Sequence, residues 1–383
     1  MQYRRLGHCA SKVSILGMGC MRLPILDGDE SRIDEDRATT LLHRAIERGI
    51  NYFDTAYPYH QGSSELFLGR ALERDGLRDK VLLASKLPSW AIENRADFDR
   101  YLNEQLQRLR TERIDCYLLH ALKADWWFKL LELGVLEFLD AAIADGRIGC
   151  AGFSFHDELP LFKQIVDAYH WSFCQIQYNY MDEEIQAGRI GLEYAAAKGL
   201  GVLVMEPLRG GHLARPAPAE LQALWDRSTV RRSPAEWALR WVWNRPEVTG
   251  LLSGMNELAQ IDENCRIAQQ ARPDSLGAAE LALIGTVRDQ LRQRIKVPCT
   301  ACGYCLPCPA GVNIPRIFSI YNDCFIYGDR NFPHRIYTIT MNASALASNC
   351  TRCGQCEAAC PQRIPIRERL EESHRVLSEK PQD

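Results

Sequence analysis

Short apolar segments alternate with amphipathic segments between residues 14 and 271, and this alternation predicts the fold of the larger part of the chain. The apolar segments are too short for helices and are predicted to be parallel strands covered on both faces. They are Ser14–Cys20, Ile50–Ala56, Val81–Leu87, Ile114–Ala121, Ile148–His156, Phe173–Asn179, Gly201–Leu208 and Val248–Met255. The amphipathic segments are predicted to be helices, and they are Asp36–Arg48, Glu65–Arg74, Phe98–Leu109, Leu130–Ala144, Leu159–Tyr169, Arg189–Lys198, Pro234–Asn244 and Glu257–Gln270.

Eight strand–helix units of this length predict an α/β fold of the (β/α)8, or TIM barrel, type rather than an open doubly wound sheet. Gly49, Gly146 and Gly199 each follow a helical segment, where a left-handed C-terminal residue is expected. No G-x-G-x-x-G motif follows the first strand, which also argues against a dinucleotide-binding open sheet. We therefore predict a barrel over residues 1–275, followed by a helical linker and a second domain over residues 276–383.

Charge and hydropathy narrow the range of partners. The 383 residues carry a formal net charge of −3 with no long run of Lys or Arg, so a nucleic-acid partner is not expected. No stretch approaches the ~18 consecutive apolar residues that a membrane helix needs, so no membrane partner is expected. The start of the chain has no apolar segment behind Arg4 and Arg5, so no export signal is predicted and a cytoplasmic protein is expected.

Eight of the 15 cysteines crowd into two short runs near the C-terminus. Both runs contain C-x2-C-x2-C and close with Cys-Pro, a spacing that lets three thiolates bind one face of a 4Fe–4S cluster while the fourth goes to another cluster. The runs are Cys299-Thr-Ala-Cys302-Gly-Tyr-Cys305-Leu-Pro-Cys308 and Cys350-Thr-Arg-Cys353-Gly-Gln-Cys356-Glu-Ala-Ala-Cys360. The other seven cysteines are single, and we expect them to be small buried apolar residues.

The spacing predicts two 4Fe–4S clusters with exchanged fourth ligands. One would be bound by Cys299, Cys302, Cys305 and Cys360, and the other by Cys350, Cys353, Cys356 and Cys308. The second run matches the bacterial ferredoxin pattern in full, whereas the first has only two residues before Cys308. Zinc is the alternative, because tetrahedral sites of four cysteines also use C-x2-C pairs. The helical stretch Ile314–Asn322 between the runs makes the domain resemble the α-helical type of ferredoxin.

The barrel region resembles the aldo-keto reductase family over nearly all of residues 1–270. The segments that carry the resemblance are Tyr3–Gly7, Val13–Gly19, Asn51–Tyr59 and Gly62–Glu65, with Lys86 and His120 near the ends of later strands. The resemblance implies a barrel enzyme that interconverts a small-molecule carbonyl and an alcohol, with NAD(P)H as the hydride source.

Four polar residues are the predicted catalytic group. Asp54, Lys86 and His120 lie at or near the C-terminal ends of consecutive strands, the face on which barrels of this type keep their active sites, and Tyr59 follows in a loop. A tyrosine hydroxyl has a pKa near ~10, so it needs a cation such as Lys86 to stabilise its phenolate, while Asp54 keeps that lysine charged. By the resemblance, Tyr59 is the proton donor and His120 orients the substrate carbonyl.

The resemblance also implies a nucleotide site. The residues that match the family's cofactor contacts are Ser154, Gln175, Pro207, Leu208, Gly210 and Asn264. Four positions depart from the family pattern: Phe155 replaces an asparagine, Met205 replaces an aromatic residue, and Gly254 and Gln260 replace a lysine and an arginine that would bind a 2′-phosphate. The sequence therefore does not distinguish NADP from NAD.

Two readings of the whole chain remain open. The first is an aldo-keto reductase with two clusters for electron transfer and a ferredoxin or flavoprotein as candidate redox partner. Hydride carries two electrons and each cluster carries one, so either a flavin or flavoprotein connects them, or the clusters are a structural or regulatory appendage and NAD(P)H is the sole reductant. The alternative is an iron–sulfur electron-transfer protein, or a cluster-driven one-electron reductase, whose barrel does not use nicotinamide. The adjacent Trp126 and Trp127 are candidates for an apolar wall of the substrate pocket, with ordinary packing equally expected.

Overall fold

A computed structural model describes residues 1–380. The first two strands, β1 (Tyr3–Arg5) and β2 (Lys12–Ser14), form an antiparallel hairpin. The next eight form a closed parallel barrel in chain order, with the last strand beside the first. They are β3 (Leu16–Gly19), β4 (Tyr52–Asp54), β5 (Leu82–Leu87), β6 (Ile114–Leu122), β7 (Ile148–Phe155), β8 (Phe173–Gln177), β9 (Gly201–Met205) and β10 (Val248–Ser253). The predicted (β/α)8 barrel is confirmed.

Helices follow each of the barrel strands, and each of these helices buries apolar residues. They are α1 (Glu35–Glu47), α2 (Ser63–Arg74), α3 (Ala96–Arg108), α4 (Ala124–Glu132), α5 (Val135–Ala144), α6 (Leu159–Ala168), α7 (Gly188–Ala197), α8 (Ala219–Trp225), α9 (Pro234–Trp243) and α10 (Leu258–Gln270). The single helix predicted over 130–144 is wrong. Gly134 has a φ of +79° and separates α4 from α5, because that left-handed conformation interrupts helical hydrogen bonding.

Three cysteines meet near the N-terminal ends of the barrel strands. Cys9, in the turn between β1 and β2, forms a disulfide with Cys150 of β7. The Sγ of Cys116, on the neighbouring strand β6, lies 3.9 Å from that of Cys150. All three are buried among apolar residues that include Val13 and Phe173. The expectation of small buried residues therefore holds for Cys116, whereas Cys9 and Cys150 are covalently joined.

The chain forms two compact units, and the second is built from two separate segments. Its segments are Leu208–Trp237 and the residues from Gly277 onward, so it includes α8 and the first part of α9. The remaining helices of this unit are α11 (Ala278–Arg294), α12 (Ile314–Ile326), α13 (Asn331–Arg335), α14 (Gln355–Ala359) and α15 (Ile366–Ser378). Division of the chain into domains at 275 and 276 stays a prediction.

Apolar packing and ion pairs hold the two segments of the second unit together. Helix α8 packs against α11, and the ring of Trp225 stacks on that of Trp237 with centroids 5.1 Å apart. Arg215 forms an ion pair with Asp323 of α12 at 2.9 Å. The segment that follows β9 is therefore part of the core of this unit.

The second unit has an apolar core against which both cysteine runs pack. Phe318 and Tyr321 of α12 are buried together with Leu370 of α15 and Tyr337. Several cysteines of both runs pack against this core. None of the helices within residues 1–380 has both the length and the apolar character that crossing a membrane requires.

Candidate active site and cysteine-lined cavities

Four predicted catalytic residues converge at the C-terminal ends of β4, β5 and β6. The ammonium Nζ of Lys86 lies 2.6 Å from Oδ1 of Asp54 and donates a second hydrogen bond, of 2.7 Å, to the carbonyl oxygen of Thr55. The same Nζ lies 3.3 Å from the hydroxyl oxygen of Tyr59. Lys86 and Asp54 are buried, whereas Tyr59 is partly exposed. The ammonium is thus held by two acceptors and directed at the hydroxyl of a partly exposed tyrosine.

Aromatic rings surround the fourth residue. The imidazole of His120 meets the Tyr59 ring edge to face at a centroid distance of 6.0 Å. Trp90 lies 5.2 Å from His120 on another side and contacts Trp126 at 5.8 Å. Trp127 is fully buried and packs toward the core. Of the two tryptophans considered for a pocket wall, only Trp126 therefore lies among the rings beside His120.

Burial governs the ionisation of this group. Desolvation raises the pKa of the Asp54 carboxyl and lowers the pKa of the Lys86 ammonium, and the attraction between the two charges opposes both shifts. Burial also lowers the pKa of His120 well below its usual value, and the positive charge of Lys86 acts in the same direction. His120 is therefore a neutral imidazole at pH 7, able to donate one hydrogen bond to a substrate oxygen.

A buried polar network contacts the strand that carries Lys86. The sequence analysis did not predict this network. The amide of Gln105 donates to Oε1 of Glu65 at 2.6 Å and to the backbone carbonyl of Lys86 at 3.0 Å. Ser85 also donates to Glu65 at 2.5 Å, and Tyr117 donates to Gln105 at 2.7 Å. Because these groups come from α2, α3, β5 and β6, the network fixes the strand that carries Lys86.

A strained turn holds the loop of Tyr59. The next two residues, His60 and Gln61, both have φ values of +53°, which are unfavourable for side chains with a Cβ. The His60 ring compensates through two contacts, a 3.1 Å hydrogen bond from the amide of Leu23 to Nε2 and a 2.9 Å contact from Nδ1 to the carbonyl of Glu30. His60 therefore positions the loop. The only sequence signal for this role is the presence of a histidine next to Tyr59.

The next strand supplies a further buried histidine with a testable effect. His156, which follows β7, contacts Gln186, and burial lowers its pKa to about 4. The unfolded chain, with a histidine pKa near ~6.5, binds more protons than the folded chain between these values, so stability falls as the pH falls from 7 to 5. We expect His156→Gln to remove about 2 kcal/mol of this loss. Denaturant unfolding of both proteins at pH 7 and pH 5 measures the free energy of unfolding. An equal loss of this free energy in the two proteins would contradict the prediction.

The predicted nucleotide contacts on β7 and β8 lie side by side. Ser154 pairs in register with Gln175 of β8, and its hydroxyl accepts a 2.7 Å hydrogen bond from the amide of Ala121. Gln175 is 2% exposed. Its Nε2 lies 3.8 Å from the sulfur of Met205, and its Oε1 has no hydrogen-bond partner among the described residues. An unpaired buried amide oxygen at this position fits a site that receives a carboxamide N–H.

The remaining predicted contacts belong to three other segments of the chain. Asn264 of α10 is buried and donates to the hydroxyl of Ser253 at 3.3 Å. Pro207 ends the first stretch of the barrel unit, whereas Leu208 and Gly210 open the segment that belongs to the second unit. In that segment the amide of Gly211 donates to the carbonyl of Leu208, which closes a turn.

Three of the four departures from the family pattern have a structural counterpart. Phe155 packs against Phe162 of α6, with ring centroids 5.1 Å apart. A side chain at Gly254 would come within 3.2 Å of Arg22, so that side chain occupies the space beside the glycine. Gln260 accepts a hydrogen bond of 2.9 Å from the amide of Asn256 at the start of α10. Neither position carries a cation of its own, but the side chain of Arg22 places a guanidinium-bearing residue beside Gly254.

The eight clustered cysteines line two cavities of the second unit. Cys299, Cys302, Cys305 and Cys360 line one of them. Cys308, Cys350, Cys353 and Cys356 line the other, which Cys305 also borders. In each cavity, three cysteines of one run meet the last cysteine of the other run. Four thiol groups around one space fit a 4Fe–4S cluster, and the exchange of the last cysteine agrees with the predicted ligand sets.

Comparison with known proteins identifies both parts of the chain. Residues 15–275 match the aldo/keto reductase family model. The chain belongs to the aldo/keto reductase family. Residues 298–364 of this aldo/keto reductase match a 4Fe-4S dicluster domain. The family is an oxidoreductase family, and the second match assigns iron–sulfur clusters to the cysteine-rich part.

Similar proteins cover the barrel of this aldo/keto reductase. It is 29% identical to 6-dehydroglucose reductase of Novosphingobium aromaticivorans, over 68% of this chain and 88% of that protein. It is 26% identical to L-galactose dehydrogenase of Arabidopsis thaliana, over 72% and 90% of the two chains. Among solved structures, aldo-keto reductase AKR11C1 from Bacillus halodurans matches with a TM-score of 0.62 and 27% identity, over 75% and 96% of the two chains.

Proposed function

We propose that the barrel interconverts a carbonyl compound and an alcohol, with Tyr59 as the proton donor. The observation that carries this proposal is the approach of the Lys86 ammonium to the Tyr59 hydroxyl at 3.3 Å, together with its 2.6 Å contact to Asp54. When the tyrosine gives up its proton, the developing phenolate lies beside a buried cation. The cation stabilises that charge more than it would in water, because the surrounding dielectric is low.

His120 and the aromatic rings position the substrate in this proposal. Neutral His120 donates a hydrogen bond to the carbonyl oxygen, which also receives the Tyr59 proton. Trp90 and Trp126 offer apolar surface beside His120, with ring centroids 5.8 Å apart. We infer a substrate that has an apolar portion next to its reactive carbonyl or hydroxyl group.

A nicotinamide nucleotide would supply or accept the hydride when bound. Gln175 would hold its carboxamide through the buried Oε1 that lacks a protein partner among the described residues. Ser154, the neighbour of Gln175 in register, would contribute a hydroxyl to the same group. Pro207, Leu208, Gly210 and Asn264 are proposed to hold the remainder of the nucleotide. Carbonyl reduction assayed with NADH and NADPH, under anaerobic conditions, tests this function.

Replacing Gln175 separates a binding role from a packing role. Gln175→Met keeps the size of the side chain and removes the amide. One net hydrogen bond is worth about 0.5–1.5 kcal/mol, so we expect nucleotide affinity to fall about 3- to 10-fold. The stability of the nucleotide-free protein should not fall, because the variant buries no unpaired oxygen. Nucleotide fluorescence titration and thermal unfolding measure the two effects. Unchanged affinity would argue against the assignment.

The two cysteine-lined cavities are proposed to hold two 4Fe–4S clusters that transfer electrons. The ligands of one would be Cys299, Cys302, Cys305 and Cys360, and those of the other Cys308, Cys350, Cys353 and Cys356. Such clusters carry single electrons when bound, so we propose a ferredoxin or a flavoprotein as the redox partner. Anaerobic purification should yield about eight iron atoms and matching acid-labile sulfide per chain. Two zinc ions without sulfide would contradict it.

Phe155 and Met205 favour a second candidate function. They stand where the family resemblance implies an asparagine and an aromatic ring against nicotinamide, and Phe155 packs on Phe162 instead. A barrel without nicotinamide would make the protein an iron–sulfur electron-transfer protein or a one-electron reductase. Titration of the purified protein with both nicotinamide nucleotides distinguishes the two functions, since binding supports the first and its absence supports the second.

A further inference from the structure

The two cysteine runs are an internal repeat that extends beyond the cysteines. Both read Cys-Thr-x-Cys-Gly-x-Cys, so Thr300 in the first run corresponds to Thr351 in the second. The two threonines each follow the first cysteine of a run. Equal sequence at equivalent positions makes any difference between their surroundings informative.

Their surroundings differ sharply. Thr300 is 1% exposed and lines the cavity formed by Cys299, Cys302, Cys305 and Cys360. Its hydroxyl oxygen is buried and has no hydrogen-bond partner among the described residues. Thr351 is exposed, although it borders the other cavity. Water can therefore satisfy the hydroxyl of Thr351 but not that of Thr300.

A buried hydroxyl without a partner is costly, by about 1–3 kcal/mol. The space that Thr300 borders is the proposed site of a cluster whose sulfurs are hydrogen-bond acceptors. The backbone of the same run also directs donors at sulfur, since the amide of Ala301 donates to Sγ of Cys299 at 3.4 Å. A cluster in this cavity would supply the acceptor that the hydroxyl of Thr300 lacks.

We propose that the Thr300 hydroxyl donates a hydrogen bond to a sulfur of the cluster bound by Cys299, Cys302, Cys305 and Cys360, and thereby raises the reduction potential of that cluster alone. This inference rests on the proposed cluster assignment. Reduction adds negative charge to the cluster, and a donor directed at a sulfur stabilises the reduced form more than the oxidised form. Thr351, hydrated in its exposed position, leaves the other cluster without an equivalent contribution from the protein. The two clusters are thus unequal in spite of their repeated sequence.

The test is an anaerobic redox titration of the holoprotein, followed by electron paramagnetic resonance. Thr300→Val keeps the shape of the side chain and removes the donor. We expect the ratio of reduced to oxidised protein at one cluster to fall about 3- to 10-fold at fixed potential, equivalent to a midpoint about 28–59 mV lower for one electron. Thr300→Ser keeps the hydroxyl and should restore the wild-type midpoint.

Thr351→Val is the matched control and should leave both midpoints in place. Two clusters in the Thr300→Val variant, shown by iron and sulfide analysis, with both midpoints unchanged would overturn this inference alone. An equal shift in Thr351→Val would also overturn it, because the exposed threonine would then act in the same way. A wild-type protein that holds no four-iron cluster would overturn the cluster assignment as well.

Discussion

Tyr59→Phe should lower the turnover of carbonyl reduction about 10²- to 10⁴-fold, the range typical of general acid catalysis. The variant keeps the ring that packs near His120 and removes the hydroxyl 3.3 Å from the Lys86 ammonium. Nucleotide binding and the unfolding midpoint should change little, because Tyr59 is partly exposed and its ring is retained. Steady-state kinetics with a reactive aromatic aldehyde, at saturating nucleotide, measure the effect.

Tyr57 provides the matched control two residues away. Its hydroxyl donates to Glu104 at 3.1 Å and its ring lies under the Arg108 guanidinium, so it belongs to the surface of the helix layer rather than to the Lys86 group. Tyr57→Phe should therefore keep the rate within about a factor of two to three of the wild type. An undiminished rate in Tyr59→Phe, or an equal loss in both variants, would remove Tyr59 from the role of proton donor.

If each run supplies the fourth ligand of the other run's cluster, then cysteine variants in different runs should lose the same cluster. Cys360→Ala should abolish the same resonance signal as Cys302→Ala, although Cys360 belongs to the other run. Cys308→Ala should match Cys353→Ala in the same way. Each variant should retain about four of about eight iron atoms. Iron analysis and resonance spectra of anaerobic preparations check both statements.

Cys324→Ala is the control for these variants, since Cys324 is buried in α12 and lines neither cavity. It should retain both signals. If Cys360→Ala and Cys356→Ala removed the same signal, each run would bind its own cluster and the exchanged ligand sets would be incorrect. The iron content of each protein shows whether a lost signal reflects a lost cluster or an altered one.

Much of the barrel and of its polar group could be predicted from sequence because both follow from period and position. A short, continuously apolar run fits a strand that is buried on both faces. A polar residue at the C-terminal end of such a strand then lies at one rim of the barrel. Asp54, Lys86 and His120 met these conditions. The cysteine spacing was equally informative, because a cubane cluster tolerates few arrangements of thiolates.

The supporting groups could not be found in this way. Glu65, Gln105 and Tyr117 come together only through tertiary packing, and each alone resembles an ordinary helix or strand residue. The pairing of Cys9 with Cys150 spans 141 residues and has no local signal. The segment after β9 is a further example, because its apolar residues form a helical pattern that does not show which unit the helix packs against. Local sequence pattern predicts an element, but it does not predict which distant element that one contacts.

The second unit is built from two segments that are distant in sequence, so one part of it is synthesised well before the other. Leu221, Trp225 and Trp237 leave the ribosome long before α11, against which α8 packs. Until α11 is made, α8 lacks the helix against which it packs, so we expect a nascent chain stalled after residue 276 to attract chaperones. For the same reason, we expect a gene cut after residue 276 to produce a barrel that carries an exposed apolar segment. A dissection at the boundaries of the two units removes residues 208–237 as well and joins the ends with a short flexible linker.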